Sequence, residues 1–167
     1  MDYKLNKSER IKPYLKKEFI LYLLLLILLE MRIGFDAKRA FYNSTGLGNY
    51  SRDSIRILSL LYPENDYFLY TPKANKQISF LKNKKNILVR TPSSFVGNLF
   101  KKYWRNKNII KDLVQDEIDI YHGLSHEIPL GIEKTNIKSV VTIHDLIFIR
   151  YPHLFSAIDR EIYHKKF

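Results

Sequence analysis

The alternation of short apolar segments with longer helical patterns is the feature that most constrains the fold. Five segments have the length and composition of strands: 31–37, 66–72, 86–92, 118–123 and 138–145. Helical spacing occupies 49–62 and 95–117, and a last helical pattern begins at 155. Strands that alternate with helices favour βαβ units. The sequence therefore predicts an α/β fold, a Rossmann-like parallel sheet with helices on both faces.

The helical pattern at 49–62 predicts which side of that helix is buried. Tyr50, Ser54, Ile57, Leu58 and Leu61 share one face at helical spacing, and Pro63 follows the end of the pattern. We expect this face to pack on the sheet.

The composition limits the classes of partner. The chain has 167 residues, no cysteine and a formal net charge of +11. A chain of this length can bury a core, and without cysteine it has neither disulfides nor a thiolate site. The positive charge favours an anionic partner such as a phosphate, a nucleic acid or an acidic membrane surface. A lysine-rich surface with no specific partner explains the charge equally well.

The first thirty residues differ from the rest of the chain. Residues 1–18 are polar and basic, and 19–29 are apolar throughout. A helix of that apolar run would be about 17 Å long, against about 30 Å for a bilayer core. No small-residue cleavage site follows it, as a signal peptide would require. We interpret 1–30 as an upstream extension before a natural start at Met31, or as a peripheral or signal-anchor helix.

The glycine-containing segment "TGLGNYSR" follows the first predicted strand. In a doubly wound sheet this position lies at the ligand-binding edge, and a helix N-terminus there favours an anion. Gly46 and Gly48 are followed by Ser51 where the dinucleotide fingerprint needs a third glycine, and no G-K-[ST] motif occurs. NAD and P-loop binding are therefore not expected. A turn whose glycines only close the helix onto the sheet remains an alternative.

Two residues stand at the carboxyl end of the last predicted strand. Val140, Val141 and Ile143 have the pattern of a buried parallel strand, and His144 and Asp145 follow it. A histidine at this edge can hydrogen-bond a substrate hydroxyl or transfer a proton near neutral pH. A histidine with a purely structural role is an equally good interpretation.

Two further histidines suggest a metal site only weakly. His122 and His126 are four residues apart, but Gly123 and Pro129 favour a loop rather than the helix of a zinc-binding H-E-x-x-H motif. We expect no metal site. Glu127 and Asp145 have no spacing that indicates a glycosidase pair.

A basic and aromatic segment, "GNLFKKYWRNKNIIK", occupies 97–111. It predicts either a surface helix with its aromatic stripe in the core or an amphipathic helix on anionic lipid. Basic and aromatic residues also suit single-stranded nucleic acid, but the chain has no named nucleic-acid motif, so that partner is not favoured.

Four segments taken together resemble a known family. They are "MRIGFDA", "TGLGNYSRDSIRIL", "DIYHGLSHEIP" and "VVTIHDLIFIRYPHLF" with the later "DREIYHKKF". In order and spacing they are similar to the amino-terminal half of family-4 glycosyltransferases of the GT-B fold, across nearly all of 31–167. The resemblance assigns 31–167 to an incomplete amino-terminal Rossmann-like domain. The family's carboxyl-terminal domain and the last strands of the amino-terminal domain have no counterpart in this sequence.

The resemblance implies sugar transfer from a nucleotide-sugar donor to a glycan or lipid-linked acceptor, with retention of configuration. It implies no cofactor and no obligatory metal, and a cytoplasmic enzyme that can lie at the inner face of the membrane. Gly46, Gly48 and Asn49 would face the donor diphosphate, and His144 would hydrogen-bond the donor sugar. We also expect substrate contacts from Tyr50, His122 and Asp145. The sequence as it stands is expected to be inactive alone, and a non-catalytic binding or scaffold fragment is the alternative interpretation.

Overall fold

The computed structural model describes residues 30–74, 84–92, 103–157 and 160–161. Apart from Glu30, these belong to the compact unit Met31–Phe167. The predictions made for residues 1–29 and for Phe100, Lys101 and Lys102 lie outside the described residues, as does most of the last predicted helix.

The chain alternates strands and helices. It runs through β1 (Arg32–Asp36), α1 (Lys38–Tyr42), α2 (Gly46–Leu61), β2 (Asp66–Tyr70), β3 (Ile87–Arg90), a π-helical turn (Trp104–Asn108), α3 (Ile109–Gln115), β4 (Ile120–Gly123), a 3-10 turn (Ile132–Lys134), β5 (Lys138–Val141), α4 (Ile147–Arg150) and a second 3-10 turn (Pro152–Leu154). All five predicted strands are present.

The five strands form one parallel sheet in the order β3-β2-β1-β4-β5. Successive side chains of a strand point to opposite faces, so β2 serves two cores. Tyr67 and Leu69 pack with Phe35, Phe41 and Ile55 on one face. Phe68 and Tyr70 pack on the other face with Trp104, Ile109, Leu113 and Tyr121. Helical residues contribute to both clusters, which confirms the predicted Rossmann-like α/β fold.

The buried face of α2 is not the one that the hydrophobic pattern predicts. Its buried residues are Gly48, Ser51, Ile55 and Ser59. Of the predicted face, Leu58 is partly buried against the core, whereas Ile57 and Leu61 are 43% and 64% exposed. The serine hydroxyls donate to helix carbonyls, from Ser51 to Leu47 and from Ser59 to Arg56, so they can be buried at little cost. Small residues bring the helix close, and apolar periodicity does not detect them.

The prediction of a buried last strand is also wrong. Val140 is 49% exposed and Ile143 is 44% exposed. Among the described strands β5 pairs only with β4, so it lies at the edge of the sheet. An edge strand lacks the neighbour that buries a central parallel strand, which is why its apolar residues remain open to solvent.

Candidate functional site

The strand order defines where a ligand crevice lies in this sheet. The chain moves outward from β1 through β2 to β3 and then returns to β4 on the other side of β1. In open parallel sheets, ligands bind outside the carboxyl ends of the strands where the order reverses, here between β1 and β4. The residues that follow Asp36 and Gly123 therefore border the crevice.

The two glycines lie within α2 rather than in a loop before it. The helix begins at Gly46, and α1 intervenes between β1 and this point, so the predicted glycine loop is corrected to a helix start. A side chain at Gly46 would meet nothing within 4 Å. A Cβ atom at Gly48 would lie 2.6 Å from the carbonyl carbon of Asn43 and closer still to its oxygen. Gly46 thus leaves space for a ligand, whereas Gly48 is required for internal packing.

The first turn of α2 presents main-chain amides without a side-chain cap. Thr45 is the N-cap residue but makes no side-chain capping hydrogen bond, and its hydroxyl donates to Oδ1 of Asn43 at 2.6 Å. The first amides of a helix have no partner within the helix. The amide of Asn49, however, donates to the carbonyl of Thr45 at 3.0 Å. Available amides in this turn are therefore those of Gly46, Leu47 and Gly48.

Asn49 is held by a neighbouring arginine. Its Oδ1 atom accepts a hydrogen bond from Arg52 Nη2 at 2.6 Å. The same guanidinium donates through Nη1 to the carbonyls of Ala40 and Asn43, at 2.9 and 2.8 Å. With its main-chain amide and its side-chain oxygen engaged, Asn49 supports the start of α2, and its Nδ2 group is the donor that remains for a ligand.

His144 is oriented by two hydrogen bonds in the loop after β5. Its Nε2 atom lies 2.9 Å from the carbonyl oxygen of Leu124, and its main-chain amide donates to Nε2 of His126 at 3.2 Å. A carbonyl oxygen can only accept, so Nε2 of His144 carries the proton. In the neutral ring Nδ1 is then a hydrogen-bond acceptor, suited to a hydroxyl of a ligand and not to a phosphate oxygen.

The same reasoning fixes the proton of His126. Because its Nε2 atom accepts the amide of His144, the proton of the neutral ring is on Nδ1. Burial lowers the pKa of His126, and the nearby His144 lowers it further. The backbone of His126 is in the left-handed region, with φ of 60°. His126 thus acts as a neutral support for His144.

Tyr50 connects α2 to this histidine pair. Its ring meets that of His144 edge to face, with centroids 4.9 Å apart. Its hydroxyl lies 3.0 Å from Oγ1 of Thr142, which lies 2.8 Å from Nε2 of His122. Burial lowers the pKa of His122, which favours its neutral form. The structure thus joins three of the predicted site residues, Tyr50, His122 and His144, through Thr142 and ring contact.

Asp145 makes a local hydrogen bond in the loop that carries His144. Its side chain is exposed, and Oδ1 accepts the amide of Ile147 at 3.2 Å, at the beginning of α4. This is the local turn that an aspartate commonly forms. Its negative charge also acts on His126, where it opposes the lowering of the pKa by burial.

An ion cluster at the switch point was missed by the sequence analysis. Arg105 makes an ion pair with Glu127 and a longer one, at 3.8 Å, with Asp36 at the end of β1. Asp36 is 3% exposed, and burial raises the pKa of its carboxyl although Arg105 opposes the shift. The hydrophobic pattern of the sequence cannot distinguish a buried aspartate such as Asp36 from an aspartate in a surface turn. Arg105 lies in the π-helical turn, and such turns often occur at functional sites. The turn is visible in the structure but has no recognisable pattern in the sequence.

Two residues of the basic and aromatic segment face the interior of the domain. Trp104 is buried in the core and donates from Nε1 to Asp112 at 2.6 Å. The side chain of Arg105 is only 14% exposed. These two residues therefore face the interior, in agreement with the interpretation that the aromatic stripe packs in the core. Tyr103, Lys107 and Lys111 are exposed.

Comparisons of the chain with protein-family models, with curated proteins and with solved structures found no match. Within the described ranges, no group of three or more metal-ligating side chains occurs, and no helix has the length and apolar character needed to cross a bilayer.

Proposed function

We propose that this domain is the acceptor-side half of a retaining GT-B glycosyltransferase, which transfers a sugar from a nucleotide-sugar donor to a glycan or lipid-linked acceptor. The observation that carries the proposal is the contact between Tyr50 and His144. It brings the uncapped first turn of α2 next to the loop that holds His144, both at the carboxyl edge of the sheet. Amide donors for a diphosphate and a nitrogen acceptor for a sugar hydroxyl are thereby close neighbours.

The proposed roles follow from the hydrogen-bonding capacity of each group. The amides of Gly46, Leu47 and Gly48 suit a diphosphate, since they are donors at the positive end of a helix. Nδ1 of His144 suits a hydroxyl of the donor sugar. Neither group acts as a nucleophile in this scheme. Catalysis would consist of positioning the two substrates and stabilising the departing diphosphate.

The location of the enzyme is part of the proposal. A glycosyltransferase that uses nucleotide sugars and lipid-linked acceptors works in the cytoplasm, at the inner face of the membrane. The net charge of +11 and the exposed Lys107 and Lys111 support attraction to anionic lipid. Sedimentation with vesicles tests this point, and equal recovery on neutral and anionic vesicles would reject it. Nucleic acid is not a proposed partner.

The decisive test starts from the coding sequence that follows Phe167. A second Rossmann-like domain encoded there would supply the nucleotide-binding half. The product of the whole reading frame is then assayed for release of nucleoside diphosphate with a panel of nucleotide sugars and glycan or lipid-linked acceptors. We expect turnover that persists when divalent metals are chelated, whereas the chain ending at Phe167 shows none and binds nucleotide sugars weakly or not at all.

Substitution at His144 makes the assay specific to the site. His144→Ala should reduce kcat by at least tenfold, because a positioned hydrogen bond to the donor sugar is lost. The matched control is His153→Ala, since His153 is exposed and, within the described residues, its ring contact is with Tyr151, at 6.2 Å between centroids. Equal activity of the two variants, or no turnover with any nucleotide sugar, would reject the proposal.

A further inference from the structure

Two cationic side chains follow β1 directly and have no counter-charge of their own. Lys38 and Arg39 open α1, at the carboxyl edge of the sheet beside the switch point. Lys38 is half-buried and Arg39 is exposed. Within the described part of the chain, neither the ammonium group of Lys38 nor the guanidinium group of Arg39 makes an ion pair or hydrogen bond. Neither residue is used by the function proposed above.

The charges around Lys38 leave cations in excess. Burial lowers the pKa of Lys38, and the neighbouring Arg105 and Arg39 lower it further. The carboxylates of Glu127 and Asp36 act in the opposite direction but are already paired with Arg105. Three cations thus face two carboxylates, one of which is buried. Binding of an anion here would lower the electrostatic free energy of the group.

These cations border the same crevice as the start of α2. The carbonyl oxygen of Arg39 lies 3.1 Å from the position of a Cβ atom at Gly48, so α1 touches the first turn of α2. Arg39 also influences the pKa of His126, as do the charges of His144 and Asp145. Lys38 and Arg39 therefore extend from a segment that touches the first turn of α2 at the carboxyl edge of the sheet.

We propose that Lys38 and Arg39 form a subsite for a phosphate group of the acceptor, separate from the amides proposed for the donor diphosphate. The planar fork of an arginine and the mobile ammonium of a lysine are the side-chain groups that bind phosphate best. In the neutral ring of His144, Nδ1 is an acceptor and does not suit a phosphate oxygen. This inference rests on the proposed function and narrows it: the acceptor carries a phosphate or diphosphate, as a lipid-linked sugar does, and is not a neutral glycan.

Direct binding to the whole chain tests the subsite without turnover. Three probes are titrated at physiological salt: inorganic phosphate, farnesyl phosphate in detergent micelles, and farnesol in the same micelles. We expect both phosphate-bearing probes to bind and farnesol not to bind. Tighter binding of farnesyl phosphate than of inorganic phosphate would indicate a lipid phosphate, and equal binding would indicate a site for the phosphate group alone; both support the proposal.

Variants locate the binding. Lys38→Met with Arg39→Gln should weaken phosphate binding at least tenfold while retaining the aliphatic stems. The control, Lys111→Met with Lys134→Gln, removes the same charge at two exposed positions and should change affinity less than twofold. His144→Ala should also change it less than twofold. An equal loss of phosphate affinity in the two double variants would show unspecific electrostatic attraction and would overturn the proposal. A loss of phosphate affinity in His144→Ala would also overturn it. Circular dichroism checks that each variant folds, and Arg39→Gln alone, at an exposed position, gives a milder variant if the double one does not.

The outcome is distinguishable from a failure of the proposed function. If no phosphate probe binds but the whole reading frame releases nucleoside diphosphate, the subsite is wrong and the glycosyltransferase assignment stands. If phosphate binds through Lys38 and Arg39 but no nucleotide sugar is turned over, the anion subsite is correct and its assignment to an acceptor is wrong.

Discussion

The ring of Tyr50 lies edge-on to the ring of His144, with their planes at 90° and centroids 4.9 Å apart. The contact joins the first turns of α2 to the loop after β5, two segments that are far apart in the sequence. Tyr50 also reaches Thr142 through its hydroxyl, at 3.0 Å. The position of His144 therefore depends on a helix that is anchored elsewhere.

Removing the hydroxyl of Tyr50 separates these two contacts. Tyr50→Phe should lower the free energy of unfolding by about 0.5–1 kcal/mol, because one partly exposed hydrogen bond is lost. Tyr50→Ala should cost about 0.5–1.5 kcal/mol more, since the aromatic contact is lost as well. Urea unfolding measures both values. Tyr62→Phe is the control because Tyr62 is 50% exposed and its hydroxyl makes no hydrogen bond within the part of the chain that the structure describes. An equal effect of both Phe variants would contradict the prediction.

The two glycines of α2 should respond in opposite ways to alanine. Gly48→Ala forces the main chain of Asn43 to move and should lower the free energy of unfolding by about 3 kcal/mol or more. Gly46→Ala meets open space and should leave stability unchanged or raise it by up to about 1 kcal/mol. Thermal unfolding distinguishes them. In the complete enzyme, Gly46→Ala should reduce turnover in spite of its stability, and full activity would argue against a ligand at this position.

Substitution of Arg105 and of Arg32 should lower the free energy of unfolding by very different amounts, because only Arg105 belongs to the ion cluster with Asp36 and Glu127. Arg105→Met leaves the buried carboxylate of Asp36 without its cation and should cost about 3–5 kcal/mol. Arg32→Met breaks an ion pair with Glu117, whose side chains are 42% and 78% exposed, and should cost less than about 1 kcal/mol. Adding Asp36→Asn to Arg105→Met should recover part of the loss. Denaturant unfolding of the single and double variants gives the coupling energy, and a loss that Asp36→Asn leaves unchanged would exclude the charge as its cause.

The sequence predicted the strands that border this site better than the contacts between its side chains. The five strands follow from apolar runs that end at Pro72, Pro92 and Gly123, since these residues act locally. His144 was placed at the correct edge because parallel strands share one ligand-binding end. The partners of His144 were not predictable, since Leu124, His126 and Tyr50 approach it only through the folding of three separate segments.

The misassigned residues show where local patterns fail. Ile57 and Leu61 were expected in the core, but α2 packs through Ser51 and Ser59, whose hydroxyls are satisfied within the helix. The hydrogen bond from Arg52 to Oδ1 of Asn49 was not predictable either, since it depends on the exact turn at which α2 begins. Such interactions are decided by three-dimensional contacts and leave no periodic signal in the sequence.

The buried histidines should make the free energy of unfolding decrease as the pH is lowered. Burial lowers the pKa of both His122 and His126 in the folded state. The unfolded chain therefore binds more protons below about pH 6.5, so the free energy of unfolding is highest above that pH and falls as the pH is lowered toward the folded-state values. Asp36, whose pKa is raised, has the opposite sign and loses its contribution as the pH rises through its folded-state value.

The histidine contribution is isolated by substitution. Urea unfolding is followed from pH 7.5 to 5 for the natural chain and for His122→Gln with His126→Gln. The difference between the two curves should shrink as the pH falls, because only the natural chain loses the stability linked to these histidines. A constant difference would contradict the assigned sign.

The two tautomers can be observed directly. At neutral pH the neutral ring of His144 should carry its proton on Nε2, and that of His126 should carry it on Nδ1. Two-bond proton–nitrogen correlation spectra distinguish the two forms, with His153→Ala and His144→Ala spectra used for assignment. A proton on Nδ1 of His144 would remove the acceptor proposed for the sugar hydroxyl.

The exposed edge at β5 has a consequence for how this protein behaves at high concentration. Among the described strands β5 has a partner on one side only, so its outward main-chain amides and carbonyls can pair with an extended segment from another molecule, with Val140 beside them and Lys138 as the single charge on the strand. Crowding would therefore promote intermolecular strand addition and slow assembly into β-rich aggregates, and neutralising that one lysine would remove the strand's electrostatic protection.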